Sequence, residues 1–320
     1  MNIVFMGTPD FAVPSLKILL KNNYNIVGVV TATDKPAGRG NKIHESAVKK
    51  YAVSNNLKVL QPEKLKSSEF IDELKSLKPD LIIVVAFRML PEIVWQMPKL
   101  GTFNLHASLL PKYRGAAPIN WAIINGETET GVTTFFIDKE IDAGCILFNN
   151  RITIGEDTTA GELHDKLMNL GSELVLKTVI AIEKNNYECV NQSTVTTEMQ
   201  LLNSAPKILK ETCRVKWQHN TINIHNHIRG LSPYPGAWSE MINHSNNEKY
   251  LVKIYRSEVI SKKVNARTGE ILSDNKSYLH IGTNDGIISI LEIQLEGKKR
   301  MNINAFLRGF SNIKDFEFIV

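Results

Sequence analysis

The chain is poor in cysteine. Cys145, Cys189 and Cys213 are spread over 320 residues with no Cys-x-x-Cys pair, so neither a disulfide framework nor a zinc ribbon is available, and the set fits a reducing, intracellular setting. No His, Asp and Glu cluster has ligand spacing. His225 and His227 stand two apart in an expected helix, which turns them to different faces and makes them structural or surface residues, so no metal is expected. Also missing is any run near the roughly 20 apolar residues of a membrane helix, in keeping with a mean hydropathy of -0.14. The first twenty residues contain Pro9, Asp10 and Pro14 and lack both a basic start and a small-residue cleavage pattern, which argues against a signal peptide. The expectation is a soluble, cytoplasmic protein, a monomer by default, without repeats or low-complexity segments.

Hydrophobic residues make up 43% and charged residues 22%, close enough to globular averages to exclude extensive disorder and fibrous architectures. At about 100 to 200 residues per domain, the length implies two domains. Charge divides the chain in the same way. Residues 1–200 hold 21 Lys and Arg against 22 Asp and Glu, whereas residues 201–320 hold 17 against 11. A basic half beside a neutral half suits a protein that does chemistry in one part and meets a polyanion with the other, although a merely soluble basic surface has the same composition.

Asn2 to Met6 reads as a strand, followed by the turn Gly7-Thr8-Pro9 and a helix with Phe11, Val13, Leu16 and Leu19 at helical spacing. Strand-like runs return at Ile26 to Thr31, Leu81 to Ala86 and Thr102 to Leu105, with helical patterns near Ser46 to Ser54, Ser67 to Leu77 and Pro91 to Gln96 between them. This alternation predicts an α/β fold, a doubly wound and mostly parallel sheet, whose ligands gather beyond the carboxyl ends of the strands. The Gly7 turn lacks the second and third glycines of Gly-x-Gly-x-x-Gly, so NAD is not expected and Gly7 is read as a tight packing turn. Two more strands follow at Val132 to Phe136 and Cys145 to Ile154. Thr159-Ala160-Gly161-Glu162 then forms a capping box for a helix with Leu163, Leu167, Leu170 and Leu174 on one face.

These patterns place a catalytic domain at 1–188, a linker at 189–205 and a second domain at 206–320. The second domain opens on a helix near Ile222 to Arg229 and the turn-rich Pro233 to Trp238. Short strands around Leu251 to Tyr255, Gly269 to Leu272, Tyr278 to Ile281 and Ile287 to Leu295 then predict a small OB-like β-barrel, a form that commonly binds nucleic acid along one face.

The stretch Asn104-Leu105-His106-Ala107-Ser108-Leu109-Leu110-Pro111 ends a strand and enters a loop. Asn104 and His106 are two apart, so on an extended backbone they share a face. Asp142, in the turn Lys139 to Gly144, is a carboxylate available in principle to the imidazole. An amide, an imidazole and a carboxylate without an accompanying Ser or Cys nucleophile suit acyl-type transfer straight to an incoming amine. On spacing alone, however, an ordinary loop histidine and a plain Asp-Ala-Gly turn are the better reading.

A resemblance reverses that order. Asn104 to Pro111, Arg114-Gly115-Ala116-Ala117-Pro118, Glu129-Thr130-Gly131-Val132-Thr133 and Asp142-Ala143-Gly144 resemble, in order, the signature of the folate-dependent formyltransferases. Gly7-Thr8-Pro9-Asp10-Phe11, Lys35-Pro36-Ala37-Gly38-Arg39-Gly40 and Pro233-Tyr234-Pro235-Gly236-Ala237-Trp238 are similar to the branch of that family whose acceptor is a charged tRNA. The similarity runs from residue 3 to about 300. It implies a Rossmann-like formyltransferase domain with a C-terminal OB-like barrel, 10-formyltetrahydrofolate as co-substrate, and initiator methionyl-tRNA as acceptor, for translation initiation. Asn104, His106 and Asp142 match the family's catalytic trio, and Ser108, Leu109, Leu110 and Pro111 its folate-contacting segment. A second folate-side segment is Phe87, Arg88, Met89 and Leu90. There the family's Ala-Tyr-Gly becomes Ala86-Phe87-Arg88, which removes a hydroxyl and puts a side chain at a glycine position.

Candidate tRNA contacts are Lys35, Arg39 and Lys42 in the basic loop Thr33 to His44, together with Lys207, Lys210 and Lys298 in the second domain. Composition alone reads the loop as mobile and solvated. The alternative acceptor is an amino sugar nucleotide, which would use the same trio; the basic loop argues against it.

Overall fold

The computed structural model describes residues 1–37, 42–195, 202–261, 266–310 and 312–320. Contacts divide the chain into two compact units. The first comprises residues 1–115, 130–152 and 164–204, and the second comprises residues 116–129, 153–163 and 205–320. Two short stretches well before the C-terminal half therefore pack with it, an exchange that hydropathy along the chain has no means of showing.

The first unit is built on seven strands: β1 (Asn2–Gly7), β2 (Asn25–Val30), β5 (Val59–Leu60), β6 (Leu81–Val85), β7 (Thr102–His106), β8 (Glu129–Phe136) and β9 (Ile146–Thr153), in the order β5-β2-β1-β6-β7-β8-β9. The first five are parallel, and β8 runs antiparallel to β7. β1 lies between β2 and β6 in the middle of the sheet, and Ile3 to Met6 are fully buried whichever face they take; this is why it reads as a continuous apolar run rather than an alternating one. Helices α1 (Val13–Lys21), α2 (Ala47–Ser54), α3 (Ser68–Ser76) and α4 (Glu92–Trp95) connect these strands. Ser46 and Ser67 cap α2 and α3 by accepting from the Lys49 and Phe70 amides, the role short hydroxyl side chains take at helix starts. Phe70 and Leu74 of α3 pack on Val4, Met6, Ile82 and Val84.

The basic segment differs from the expected loop. Residues Lys35–Ala37 (β3) and Lys42–His44 (β4) pair as an antiparallel ribbon in which Lys35 faces His44 and Ala37 faces Lys42. Arg39 lies outside the described residues, as does the side chain of Lys42.

Helix α6 (Ala160–Glu183) starts on the expected capping box: the Thr159 amide donates to Glu162 Oε2 at 2.9 Å and the Glu162 amide to Thr159 Oγ1 at 3.3 Å. Leu163, Leu167 and Leu174 are buried along one side. No helix among the described residues is long and apolar enough to cross a membrane.

The second unit holds α5 (Pro118–Ile124) and α8 (Thr221–Leu231) with strands β10 (Ala237–Asn243), β11 (Lys249–Ser261), β12 (Ile271–Ser273), β13 (Leu279–Gly282), β14 (Ile287–Leu295), β15 (Met301–Asn302) and β16 (Phe316–Phe318), and with α9 (Ile303–Gly309); the short α7 (Gln192–Val195) belongs to the first unit. The sheet order is β12-β13-β14-β11-β10-β16, all antiparallel, with β15 on β14. A bridge between Glu270 and Glu317, with the Phe318 amide donating to the Gly269 carbonyl at 2.9 Å, draws the two ends together into a nearly closed barrel. Trp217, Met241, Val252, Ile254, Ile281, Ile290 and Phe318 fill its interior, and the Trp217 indole donates to Ser239 Oγ at 3.0 Å, so its burial leaves no orphan donor. β11 spans thirteen residues, far beyond the expected Leu251 to Tyr255, because register shifts against β14 between Ile254 and Arg256, Arg256 and Ser257, and Val259 and Ser261 let one strand turn the corner of the barrel.

Candidate active site

Strand β7 is held on both sides, by β6 and by β8, so its alternation is fixed. Phe103 and Leu105 fill the core on one face, and Asn104 and His106 share the other. Asn104 pairs in register with Val84 and Phe135, and His106 with Thr133. Among the described residues the Asn104 side chain has no hydrogen-bond partner, and it is only half-buried. An amide in that state is free to serve a ligand.

The chain then folds back on itself. Ser108 is fully buried; its hydroxyl donates to the Lys112 carbonyl at 2.7 Å while its own carbonyl accepts from Thr133 Oγ1 at 2.7 Å. The Leu110 amide donates to the same Thr133 oxygen, and Tyr113 and Gly115 adopt positive φ of 60° and 125°. This winding brings the Tyr113 carbonyl to 2.8 Å from His106 Nε2. A carbonyl only accepts, so Nε2 carries a proton, and Nδ1 is left as the ring atom facing the carboxylate.

Asp142 Oδ2 stands 3.8 Å from His106 Nδ1, in a pair only 6% and 15% exposed. That separation is an electrostatic contact rather than a hydrogen bond. The same oxygen accepts from the Gly115 amide at 2.9 Å. The structure thus brings His106 and Asp142 together through the returning loop, while Asn104 shares the His106 face of β7.

Two residues without an assigned role complete the surroundings. Arg114 Nε and Nη2 donate to Gln192 Oε1 at 3.0 and 2.6 Å, and Gln192 Nε2 donates to the carbonyls of Asp142 and Gly144, both at 2.8 Å. Burial pushes the Arg114 guanidinium below its ordinary value, against the pull of Asp142 and Glu140. Gln192 falls in the stretch read as linker, where it is one polar residue among Asn, Ser and Thr and carries no pattern to mark it. The start of that stretch is fastened to the first unit. Val190 and Ile146 exchange backbone hydrogen bonds of 2.8 and 2.9 Å, and a disulfide joins Cys145 to Cys189 with Cα atoms 5.4 Å apart. The wide spacing of the cysteines gave no reason to expect this bond, and a fully reduced set is corrected to one disulfide and one buried free thiol, Cys213.

The two segments expected to contact folate leave the carboxyl ends of neighbouring parallel strands, residues 86–90 after β6 and 107–111 after β7, with the Gly7 turn next to them through the pairing of Gly7 with Val85. Leu90, Leu110 and Pro111 are buried packing residues, Phe87 and Leu109 are half-buried, and Met89 is 73% exposed. Arg88 does not need the glycine conformation. The positive φ falls instead on Ala86, at 47°, and the Arg88 guanidinium donates to the Glu63 carbonyl at 2.8 Å and to that of Pro62.

Lys35, Lys207, Lys210 and Lys298 are exposed. Lys210 Nζ and the Arg214 guanidinium lie over the Trp238 ring at 5.8 and 5.6 Å from its centre, and the indole donates to the Lys210 carbonyl at 2.8 Å. Cations and an aromatic face are therefore assembled on one side of β10.

Fold and site define a group-transfer enzyme of the formyl transferase class. Residues 1–179 match the family described as Formyl transferase and residues 207–311 that described as Formyl transferase, C-terminal domain; the chain belongs to this family. Methionyl-tRNA formyltransferase of Bacteroides fragilis is 52% identical over 317 residues, covering 99% of this chain and 97% of that one. That of Flavobacterium johnsoniae is 51% identical over 311 residues, with coverage of 97% and 96%. Among solved structures, the N-formyltransferase of Helicobacter canadensis in complex with folinic acid and dTDP-3-aminofucose superposes with a TM-score of 0.64 at 23% identity, covering 90% of this chain and 98% of that one, a likeness of fold.

Proposed function

We infer that the chain transfers a formyl group from 10-formyltetrahydrofolate to the α-amino group of initiator methionyl-tRNA. The observation that carries this reading is identity at about half of all positions, through both units, with methionyl-tRNA formyltransferases. The structures of sugar formyltransferases are similar in fold only. Within that reading the stretch to residue 188 does the chemistry and 206–320 meets the tRNA.

The segments 86–90 and 107–111 emerge side by side at the carboxyl ends of β6 and β7, next to Asn104, whose side chain has no partner among the described residues, a donor and an apolar border that fit a flat, polar-edged pterin. Phe87, Met89 and Leu109 border it. Folate supplies an activated formyl carbon. As the methionyl nitrogen bonds to that carbon, negative charge grows on the formyl oxygen, and Asn104 Nδ2 donates to it. A donor aimed at developing charge is worth about 3 to 4 kcal/mol.

His106 Nε2 is committed to the Tyr113 carbonyl, so Nδ1 takes the proton that the amine loses, and the charged ring is stabilised by Asp142 at 3.8 Å. The proton passes on to the folate nitrogen as its bond to the formyl carbon breaks. An α-amino group with an ordinary pKa of about 7.7 to 8.0 is already partly neutral near pH 7.5, so positioning outweighs base strength.

The test offers 10-formyltetrahydrofolate with charged initiator tRNA, charged elongator tRNA or an amino sugar nucleotide. Formylmethionyl-tRNA from the initiator alone is expected; formyl transfer only to the sugar overturns the reading.

A further inference from the structure

We propose that Gln192 is a positioning residue for formyl transfer, clamping the Asp142 turn and Arg114 in one arrangement around the reacting edge of His106. The proposal rests on the formyl-transfer reading and names a residue that the family signature does not assign.

Gln192 is 1% exposed, and all four hydrogen-bonding positions of its amide are filled. Its two N–H groups go to the Asp142 and Gly144 carbonyls, and its oxygen takes two N–H groups of Arg114. A buried amide saturated in this way has one orientation, because turning it over would set donors against Arg114 and an acceptor against two carbonyls. Asp142 needs such a hold. It occupies positive φ, 52°, a conformation that costs a side-chain-bearing residue some free energy although Asp tolerates it better than most, and its carboxylate meets His106 without a direct hydrogen bond. At that range a small drift of the turn changes the field on Nδ1.

The same amide holds the guanidinium of Arg114, a cation that interacts electrostatically with that carboxylate. No ion pair holds Arg114 to Asp142; among the described residues, Gln192 is the side chain that receives the guanidinium. The clamp itself is anchored from behind. The Ile146 and Val190 backbone pair and the Cys145–Cys189 bond tie residues 189–190 to the strand that leaves the Asp142 turn, so Gln192 is delivered to the turn by a segment with little freedom of its own.

Gln192→Glu tests this, because it keeps an acceptor for Arg114 but sets a carboxylate oxygen against two carbonyls. The expected result is a kcat lower by about tenfold to a hundredfold, with KM for folate and for methionyl-tRNA within about twofold. In an Asp142→Ala background the same change should cost less than about twofold, since its route to the chemistry has been removed. Gln192→Ala, without the added charge, is the second variant and should show the same dependence on Asp142. An unchanged kcat in folded Gln192→Glu overturns the proposal. So does an equal fractional loss in both backgrounds, and so does failure of both variants to fold, which makes the residue a structural one. Wild-type transfer to methionyl-tRNA is the internal control: its absence overturns the functional reading, whereas normal wild-type rates with an unaffected variant overturn the role of Gln192 alone.

Discussion

Asn104 and His106 lie on the face of β7 opposite Phe103 and Leu105; Asn104 is half-buried, so changing it alters the reacting edge with little effect on packing, whereas buried His106 also holds the Tyr113 carbonyl. Asn104→Ala should lower kcat by about 10² to 10³ by removing a single donor to developing charge. His106→Ala and Asp142→Asn should also act on kcat far more than on KM for folate, because the charge they handle exists only as the amine adds. Single-turnover rates beside equilibrium folate binding check all three; wild-type turnover in any of them removes its assigned role. The shared face of Asn104 and His106 was legible from their spacing, but Asp142 stood only as a carboxylate available in principle until the resemblance favoured it, since nothing in a turn says which strand it meets. Gln192 was hidden because a buried polar residue looks like a solvated one until its partners are known. Elsewhere, burial holds His227 of α8 down to about 4, with His219 and Lys216 pushing the same way and the Cys213 backbone the other, and its buried Nε2 has no hydrogen-bond partner among the described residues. The unfolded chain takes up this proton near pH 6.5 and the folded one only near 4, so stability falls as pH drops through that window, by roughly 2 to 4 kcal/mol in all. Urea unfolding of the full chain between pH 7 and 4.5 should show the loss, and His227→Gln should flatten it by up to about one proton.

Elements with a strong period were read within a residue or two. β6, β7, α2, α3 and β14 needed only the apolar run or the capping serine. Missed were those whose pairing is non-local or whose sequence signals a turn: β5, two residues long, the ribbon β3–β4 inside a Gly-rich basic segment, and β10, which begins in Ala237 and Trp238 of a Pro-Gly turn. The fastening of residues 189–192 belongs to the same group. Its Cys145–Cys189 bond closes a separation of 44 residues, for which the chain-entropy estimate is about 4 kcal/mol and typical measured values are 2 to 4. Cys189→Ser should therefore lower the stability of the first unit by about that amount under oxidising conditions and change little in excess dithiothreitol. Urea curves under both conditions decide it, and equal stability of variant and wild type without reductant would show that the bond contributes nothing.

Charge sets the scale at which the two units must cooperate. The first 200 residues are close to neutral and the remainder carries six more basic than acidic side chains, but residues 116–129 and 153–163, which pack with that remainder, bring five acidic side chains and no basic one, so any attraction for a phosphate backbone rests on the lysines gathered in the C-terminal stretch rather than on the net charge of the barrel unit. The division was readable from composition, but its detail was not: Lys210 and Arg214 are gathered over Trp238, whereas Arg300 is spent on Glu292 and the Tyr255 face. A cation already paired releases fewer counterions on binding RNA than one facing water, so Lys207 and Lys210 should count for more than Arg300. Affinity for methionyl-tRNA is expected to fall steeply with salt, each lysine contact adding about 0.7 to 0.9 to the slope of log K against log salt, while folate affinity stays nearly flat. Replacing Lys207 and Lys210 together by alanine should lower that slope by about 1.5, and Arg300→Ala by well under one. Binding titrations between 50 and 300 mM KCl measure both, and equal slopes for tRNA and folate would sink the assignment of the barrel unit to the nucleic acid.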